Sequence, residues 1–477
     1  MNDMEQSSNL EQKVEVKNSR RRVTTFWILI SLITLASLAW RVIYVIHWNW
    51  NQPLQGDAFY FHWQPWMLVH GLGFSDPYVY LGMQQGVNIP SSFYASSNHL
   101  LVPSAHHPPL LCIILAAGDL LSLQSFGTQL IILCIFGAAT VTLCAILGRM
   151  LGGERVGVVA ALIAAIYPGM WIYDGQLLAE QIAQFTVALL LIQLVLLWRN
   201  RSVKNAIFAG IFVALAALTR AELLMLILAP FLLAVFSMKQ DSLKKRIRTV
   251  GIATATTVLV LSPWVIRNLV VFQYPEIIAT DLGATVEAAN CAASYDGTAQ
   301  GYEVWNCVGL SIQWHDESYY DHVHLISGLD YANAHKGQAA IMAAARVGRL
   351  LYLFKPHQQA TFILNFIDGW PQFADTALWY SSYPVEILGI AGLIILKKKK
   401  LPISPYILTF VIVFIATIIA FGDIRFRAVG EVPLTVLSAV GLNWIFTTIV
   451  GKFKNAPALG SMPAQTDNKT KEDAAVI

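Results

Sequence analysis

Of the 477 residues, 56% are hydrophobic and 13% are charged, against roughly 25% charged in an ordinary soluble chain. That composition excludes a water-soluble globular domain. The formal net charge of +3, from 32 basic and 29 acidic residues, excludes a partner that needs a strongly charged surface, nucleic acid above all. The chain reads as an all-α polytopic membrane protein, in which charge acts through its placement among the loops.

Residues 1–22 are polar and end in Arg20-Arg21-Arg22, directly before an apolar run over 23–46. The run is longer than a signal-peptide core and no small-x-small cleavage site follows it. It is therefore expected to be an uncleaved first span with the N-terminus held in the cytoplasm. Further apolar runs lie near 127–148, 156–173, 178–198, 203–219, 221–238, 248–265, 378–396, 403–421 and 432–450. About ten transmembrane helices place the basic clusters Arg149/Arg155, Arg199/Arg201/Lys204, Lys239/Lys244/Lys245/Arg246/Arg248, Lys397 to Lys400 and Lys452/Lys454 on one side, with both termini.

One apolar run, 110–123, would move every later cluster to the other side if it crossed. It is expected to be a short interfacial helix with Pro108-Pro109 at its start. A second interfacial helix is expected over 58–69, with Asp57 as its N-cap. The resulting organisation is a cytoplasmic tail (1–22), an N-terminal transmembrane catalytic module (23–266) containing a first outer loop (47–126), a large outer loop (267–377), C-terminal transmembrane helices (378–450) and a second cytoplasmic tail (451–477). The large loop exceeds ordinary connection lengths and so is expected to be functional, with amphipathic helices over 337–366.

Cys112, Cys134 and Cys144 lie in apolar segments and read as packing residues. Cys291 and Cys307 lie in the large polar loop, on the oxidising side, where a disulfide is permitted.

Ionisable residues beside membrane helices are costly unless they face water, pair or serve a function. Here they converge on the outer side: Asp57, His62, His106, His107, Asp174, Glu180, Arg220, Glu222, Arg267, Asp423, Arg425 and Arg427. The arrangement suits chemistry on a lipid-linked molecule at the membrane surface, and membrane lipids are expected around it. His62, His99, His106, His107, Asp57 and Glu180 are metal-ligand types, but their spacings match no regular ligand motif. A divalent metal is the weaker reading, and no cofactor is implied.

Gly56-Asp57-Ala58-Phe59-Tyr60, His107-Pro108-Pro109-Leu110, Leu177-Leu178-Ala179-Glu180, Leu218-Thr219-Arg220-Ala221-Glu222, Pro263-Trp264-Val265-Ile266-Arg267-Asn268 and Gly422-Asp423-Ile424-Arg425-Phe426-Arg427 occur in this order. Taken together they resemble the polyprenyl-phosphate-dependent C-type glycosyltransferase superfamily, its aminoarabinose transferase and protein O-mannosyltransferase branches in particular. The resemblance implies transfer, with inversion, of a sugar from a polyprenyl-phosphate donor to a lipid, glycan or protein acceptor on the outer face of the cell membrane.

By the same resemblance Asp57 is the general base. His107 stands where the family has Lys or His near the lipid phosphate, and Arg267, Arg425 and Arg427 match arginines near the donor phosphate. His106, Glu180 and Arg220 are supporting residues. Ala58 replaces a frequent second acid, which weakens a two-carboxylate metal site, and His106-His107 leaves the donor sugar and branch open. Two alternatives remain: a transporter or flippase of lipid-linked or polar substrates, and a scaffold whose large loop binds another protein. Spans largely free of charge and the lack of a 20–50-residue repeat weigh against the transporter.

Overall fold

The computed structural model describes residues 24–52, 54, 56–81, 101–308, 316–360 and 369–454. The two tails, His99 and part of each outer loop therefore lie largely or wholly outside the described residues. The chain is a multi-pass membrane protein, and its described part is helical throughout apart from one isolated bridge between Ser75 and Pro103.

Among the described residues six helices are long and apolar enough to cross a bilayer: α1 (Thr24–Asn49), α5 (Phe126–Gly152), α7 (Glu180–Asn200), α10 (Leu243–Val271), α15 (Gln372–Lys398) and the stretch Ile424–Ile449, most of which is α17 (Ala428–Lys454). The other four apolar runs form shorter helices: α6 (Glu154–Ile166), α8 (Val203–Ala217), α9 (Ala221–Ser237, which begins as a 3-10 helix) and α16 (Ser404–Ile419). At ~1.5 Å per residue α6, α8 and α16 reach roughly 20–24 Å, short of the ~30 Å hydrocarbon core, while α9, with its 3-10 turns at ~2.0 Å per residue, comes close to it. Helix formation thus matches all ten apolar runs, whereas length and composition qualify six as full spans.

Lipid gives helices little hydrophobic reason to associate, so close packing of small residues matters more. On α15 and α17 a Cβ at Gly392 would lie 1.9 Å from the Leu437 carbonyl oxygen, and one at Gly441 2.3 Å from that of Leu388. The two backbones touch, and only glycine permits it. Large apolar side chains on α10, among them Val258, Leu259, Ile266 and Val270, remain exposed, as expected of a lipid-facing helix.

The first outer loop holds α2 (Asp57–Val69), the single turn α3 (Pro77–Tyr80) and α4 (Leu110–Asp119). Ten residues make α4 too short to cross. Its first N–H, that of Leu110, donates to the Leu218 carbonyl at 2.9 Å, which fastens the end of the loop beside Arg220. Asp119 is buried against Gln129 on α5, although an interfacial helix would leave it wet. The large loop carries α11 (Leu282–Ala289), the turn α12 (Ala292–Tyr295), α13 (Glu317–Ala334) and α14 (Lys336–Leu350). The helix before it, α10, stays helical through Val271. Cys291 and Cys307 are joined in a disulfide.

Candidate active site

Asp57 is the first residue of α2, not its cap. Gly56, at a positive φ of 50°, takes the cap position. The Asp57 carboxylate turns instead toward two cations. Arg425 donates from Nη2 to Oδ2 at 2.8 Å, and His107 Nε2 lies 3.5 Å from Oδ1. One third of the Asp57 side chain (33%) stays open, so the group lies deep among protein atoms yet faces free space. Burial alone would push this carboxyl up. The charges of His107 and Arg425 overcome burial and hold it well below the usual carboxylate range.

Arg425 forks. Its Nε donates to Glu180 Oε1 at 3.0 Å, and the same oxygen accepts Arg220 Nη1 at 2.6 Å. Arg220 Nε in turn donates to Glu222 at 2.5 Å. Glu180, 1% exposed, opens α7, where the helix dipole favours a carboxylate. Gln184, one turn further, donates to the carbonyls of Gly169 and Ala428 and bolts α7 to the start of α17. Arg425 itself is set by a 3-10 turn, Ile424–Arg427, whose N-cap Asp423 accepts the Arg425 backbone N–H at 2.9 Å. A connected chain His107–Asp57–Arg425–Glu180–Arg220–Glu222 results, drawn from four separate connections.

His107 is buried, stacked on Phe61 at 4.7 Å and edge-on to Tyr60 at 5.1 Å. Phe61 lies one helical turn beyond Asp57 on the same face of α2. A second carboxylate, Asp281 of the large loop, sits 3.9 Å from His107 Nδ1. Burial opposes the imidazolium, but Asp57 and then Asp281 raise His107 above its ordinary range. Asp281 is pushed up to about 7, chiefly by burial. His106, against Tyr60 and Tyr78, is pushed down to about 3 by burial and by His107.

Two expected residues lie elsewhere. Arg427 is buried and turned away from Asp57, pairing with Glu431 and Glu386 at 2.9 Å each and donating to the Tyr167 hydroxyl at 3.2 Å. Arg267 donates to the Phe74 carbonyl at 2.8 Å and lies over Trp264 and Phe272, bracing the first loop rather than joining the chain of ion pairs. Asp174, read as an outer hairpin residue, is fully buried against Arg41 of α1; an arginine inside the first span was the available signal for that pair. Asp281 had none, because only the folded loop brings it to His107. Among the described residues no group of three or more His, Cys, Asp or Glu is arranged to hold a metal ion.

The network has a consistent place along the bundle. Glu180 and Arg199 stand at opposite ends of α7, and Arg220 follows the end of α8 opposite to Lys204. The site and the basic clusters thus occupy opposite ends of these helices.

The helical architecture has solved counterparts. The archaeal oligosaccharyltransferase AglB from Archaeoglobus fulgidus, in complex with an inhibitory peptide and a dolichol-phosphate, superposes with a TM-score of 0.54 at 14% identity, covering 92% of this chain and 52% of that one. The Archaeoglobus fulgidus oligosaccharyltransferase tethered to an acceptor peptide gives 0.53 at 16% identity, over 90% and 51%. The fold is that of the C-type glycosyltransferases. ArnT from Cupriavidus metallidurans superposes more loosely, with a TM-score of 0.39 at 12% identity over 90% and 79%. This chain spans about half the length of the archaeal oligosaccharyltransferases it matches.

Residues 106–266, about a third of this chain, match the family model for dolichyl-phosphate-mannose-protein mannosyltransferase. That stretch contains His106, His107, Glu180 and Arg220. No curated protein matches by sequence.

Proposed function

We propose that this protein is a membrane glycosyltransferase that moves a sugar from a polyprenyl-phosphate donor to a lipid, glycan or protein acceptor on the outer face of the cell membrane. One observation carries the reading. Asp57, the most open carboxylate in a chain of ion pairs, is tied directly to an arginine whose planar fork suits a phosphate. The mannosyltransferase family match and the dolichol-phosphate held by the archaeal structure support a lipid-phosphate donor. Placement of the site opposite the basic clusters supports outer-face chemistry with both termini cytoplasmic.

In this reading Arg425, with Arg220 behind it and His107 beside it, receives the donor phosphate and stabilises the charge it gains on leaving. Asp57 is a poor base while Arg425 holds it. A phosphate that takes over Arg425 releases the carboxylate, raises its basicity and frees it to take the proton from the acceptor hydroxyl as that oxygen attacks the anomeric carbon. The attack forms the new C–O bond as the sugar–phosphate bond breaks, with inversion. Donor binding thus readies the base.

The test is a transfer assay with the purified full-length chain, a panel of β-linked polyprenyl-phosphate sugars and a membrane extract as acceptor. An α-linked product is expected from the donor that is used. A β-linked product would refute direct displacement, and movement of the lipid across sealed vesicles with no transfer would favour the flippase.

A further inference from the structure

Two carboxyls beside the network each keep an oxygen that it does not use. Asp423 is 1% exposed, and while its Oδ1 accepts the Arg425 N–H, its Oδ2 has no hydrogen-bond partner. Glu303 is 8% exposed and its Oε2 also lacks a partner. They are 120 residues apart, yet the fold sets their segments side by side. The Gly422 N–H donates to the Gly301 carbonyl at 2.7 Å, one residue before Asp423 and two before Glu303. The Val304 N–H is anchored to the Ala288 carbonyl at 2.9 Å, and the Cys291–Cys307 disulfide closes the loop behind it. Gly422 also packs tightly on α14, where a Cβ would lie 2.8 Å from the Arg346 backbone. A buried acceptor without a protein partner is satisfied by water or by a ligand's hydroxyl.

We infer that Glu303 and Asp423 form a subsite that binds hydroxyl groups of the sugar carried on the lipid phosphate. The inference rests on the glycosyltransferase reading and adds to it the part of the site that chooses the sugar. The Gly422–Gly301 tie and the Asp423 cap put the pair on the flank of Arg425, the residue proposed to face the donor phosphate, so a sugar joined to that phosphate lies nearest these two carboxyls. Two carboxyls repel a phosphate but suit hydroxyls, which both donate and accept. Burial and the Asp423 charge push Glu303 well above the usual carboxylate range, and burial also raises Asp423 against the pull of Arg425. A proton kept by one acid beside an ionised partner gives the subsite a donor as well as acceptors.

The test measures binding of bare polyprenyl phosphate and of polyprenyl phosphate carrying mannose, glucose, galactose, N-acetylglucosamine or arabinose to the full-length protein in lipid nanodiscs. The wild type is expected to bind one sugar-bearing lipid more tightly than the bare lipid. Glu303→Gln should lose that preference by about tenfold or more while binding the bare lipid normally, and Glu303→Asp should restore part of it. Asp423→Asn should lose the preference as well, with its affinity for the bare lipid read separately because Asp423 also caps the turn that sets Arg425. A wild type with no preference for any of the sugars, or a Glu303→Gln protein that keeps the full preference, overturns the subsite. Equal loss of bare and sugar-bearing lipid in both Glu303→Gln and Asp423→Asn makes the pair structural and also overturns it. Failure of the wild type to bind even bare polyprenyl phosphate sinks the donor reading itself.

Discussion

Replacing Arg425 by Ala removes two contacts, to Asp57 at 2.8 Å and to Glu180 at 3.0 Å. Breaking one side of a buried ion pair costs ~3–5 kcal/mol. Here the figure falls, because Glu180 keeps Arg220 at 2.6 Å and Asp57 is one-third open. About 1–3 kcal/mol of stability should go, leaving a folded protein. A charge-assisted hydrogen bond to phosphate is worth ~1.5–3 kcal/mol, so affinity for bare polyprenyl phosphate should drop by roughly 10- to 100-fold. Arg425→Lys keeps the charge but cannot reach Asp57 and Glu180 with one planar fork, and should fall between the two. The assay is equilibrium binding in nanodiscs beside thermal unfolding in the same preparation. Wild-type lipid affinity in folded Arg425→Ala would refute the assignment of this arginine to the donor phosphate.

Arg427→Ala should do the reverse, lowering the unfolding temperature as Glu431 and Glu386 lose their shared partner while lipid affinity per folded molecule stays near wild type; a selective affinity loss would return Arg427 to the phosphate site. Glu317, which accepts the Ala105 N–H and the Thr280 hydroxyl, is pushed up to about 8 by burial and then by Asp76. A raised carboxyl contributes stability that is full below its unfolded value near 4.3 and is lost as pH rises through about 8. Thermal stability should therefore decline over that window, and Glu317→Gln should flatten the decline; an unchanged slope would contradict the assignment. Transfer is expected to persist after EDTA treatment, because the described site offers no three-ligand group; loss in EDTA with recovery on adding Mg²⁺ or Mn²⁺ would show that a metal is required.

Much of the frame is readable in the chain because its signals are local. Pro108-Pro109 and the run after it specify a short helix, and α4 is that helix. Apolar runs of helical length specify helices, and every one formed. Depth was less legible, since a 13-residue helix such as α6 carries no mark of how far it crosses.

Within the site, the convergence of Asp57, His107, Glu180, Arg220 and Arg425 followed from their placement at the ends of apolar runs. Arg425 and Arg427 looked equivalent in Arg-Phe-Arg. In a 3-10 turn, with three residues per turn, side chains two apart point in different directions, and one reaches Asp57 while the other enters the α15–α17 interface. Asp281 and Glu303 come from an irregular polar loop without periodicity. Only the ties of that loop to the first loop and to Gly422 bring them to the site.

In the proposed reaction Asp57 acts on the acceptor while Arg425 holds the donor, and one substitution separates the two roles. In Asp57→Asn, Arg425 loses one of its two carboxylate partners, keeps Glu180 and remains in place for a phosphate. Single-turnover transfer from a preloaded polyprenyl-phosphate sugar should fall by roughly 10²- to 10⁴-fold, while donor affinity stays at the wild-type level or tightens. Transfer at the wild-type rate with donor fully bound would contradict the account.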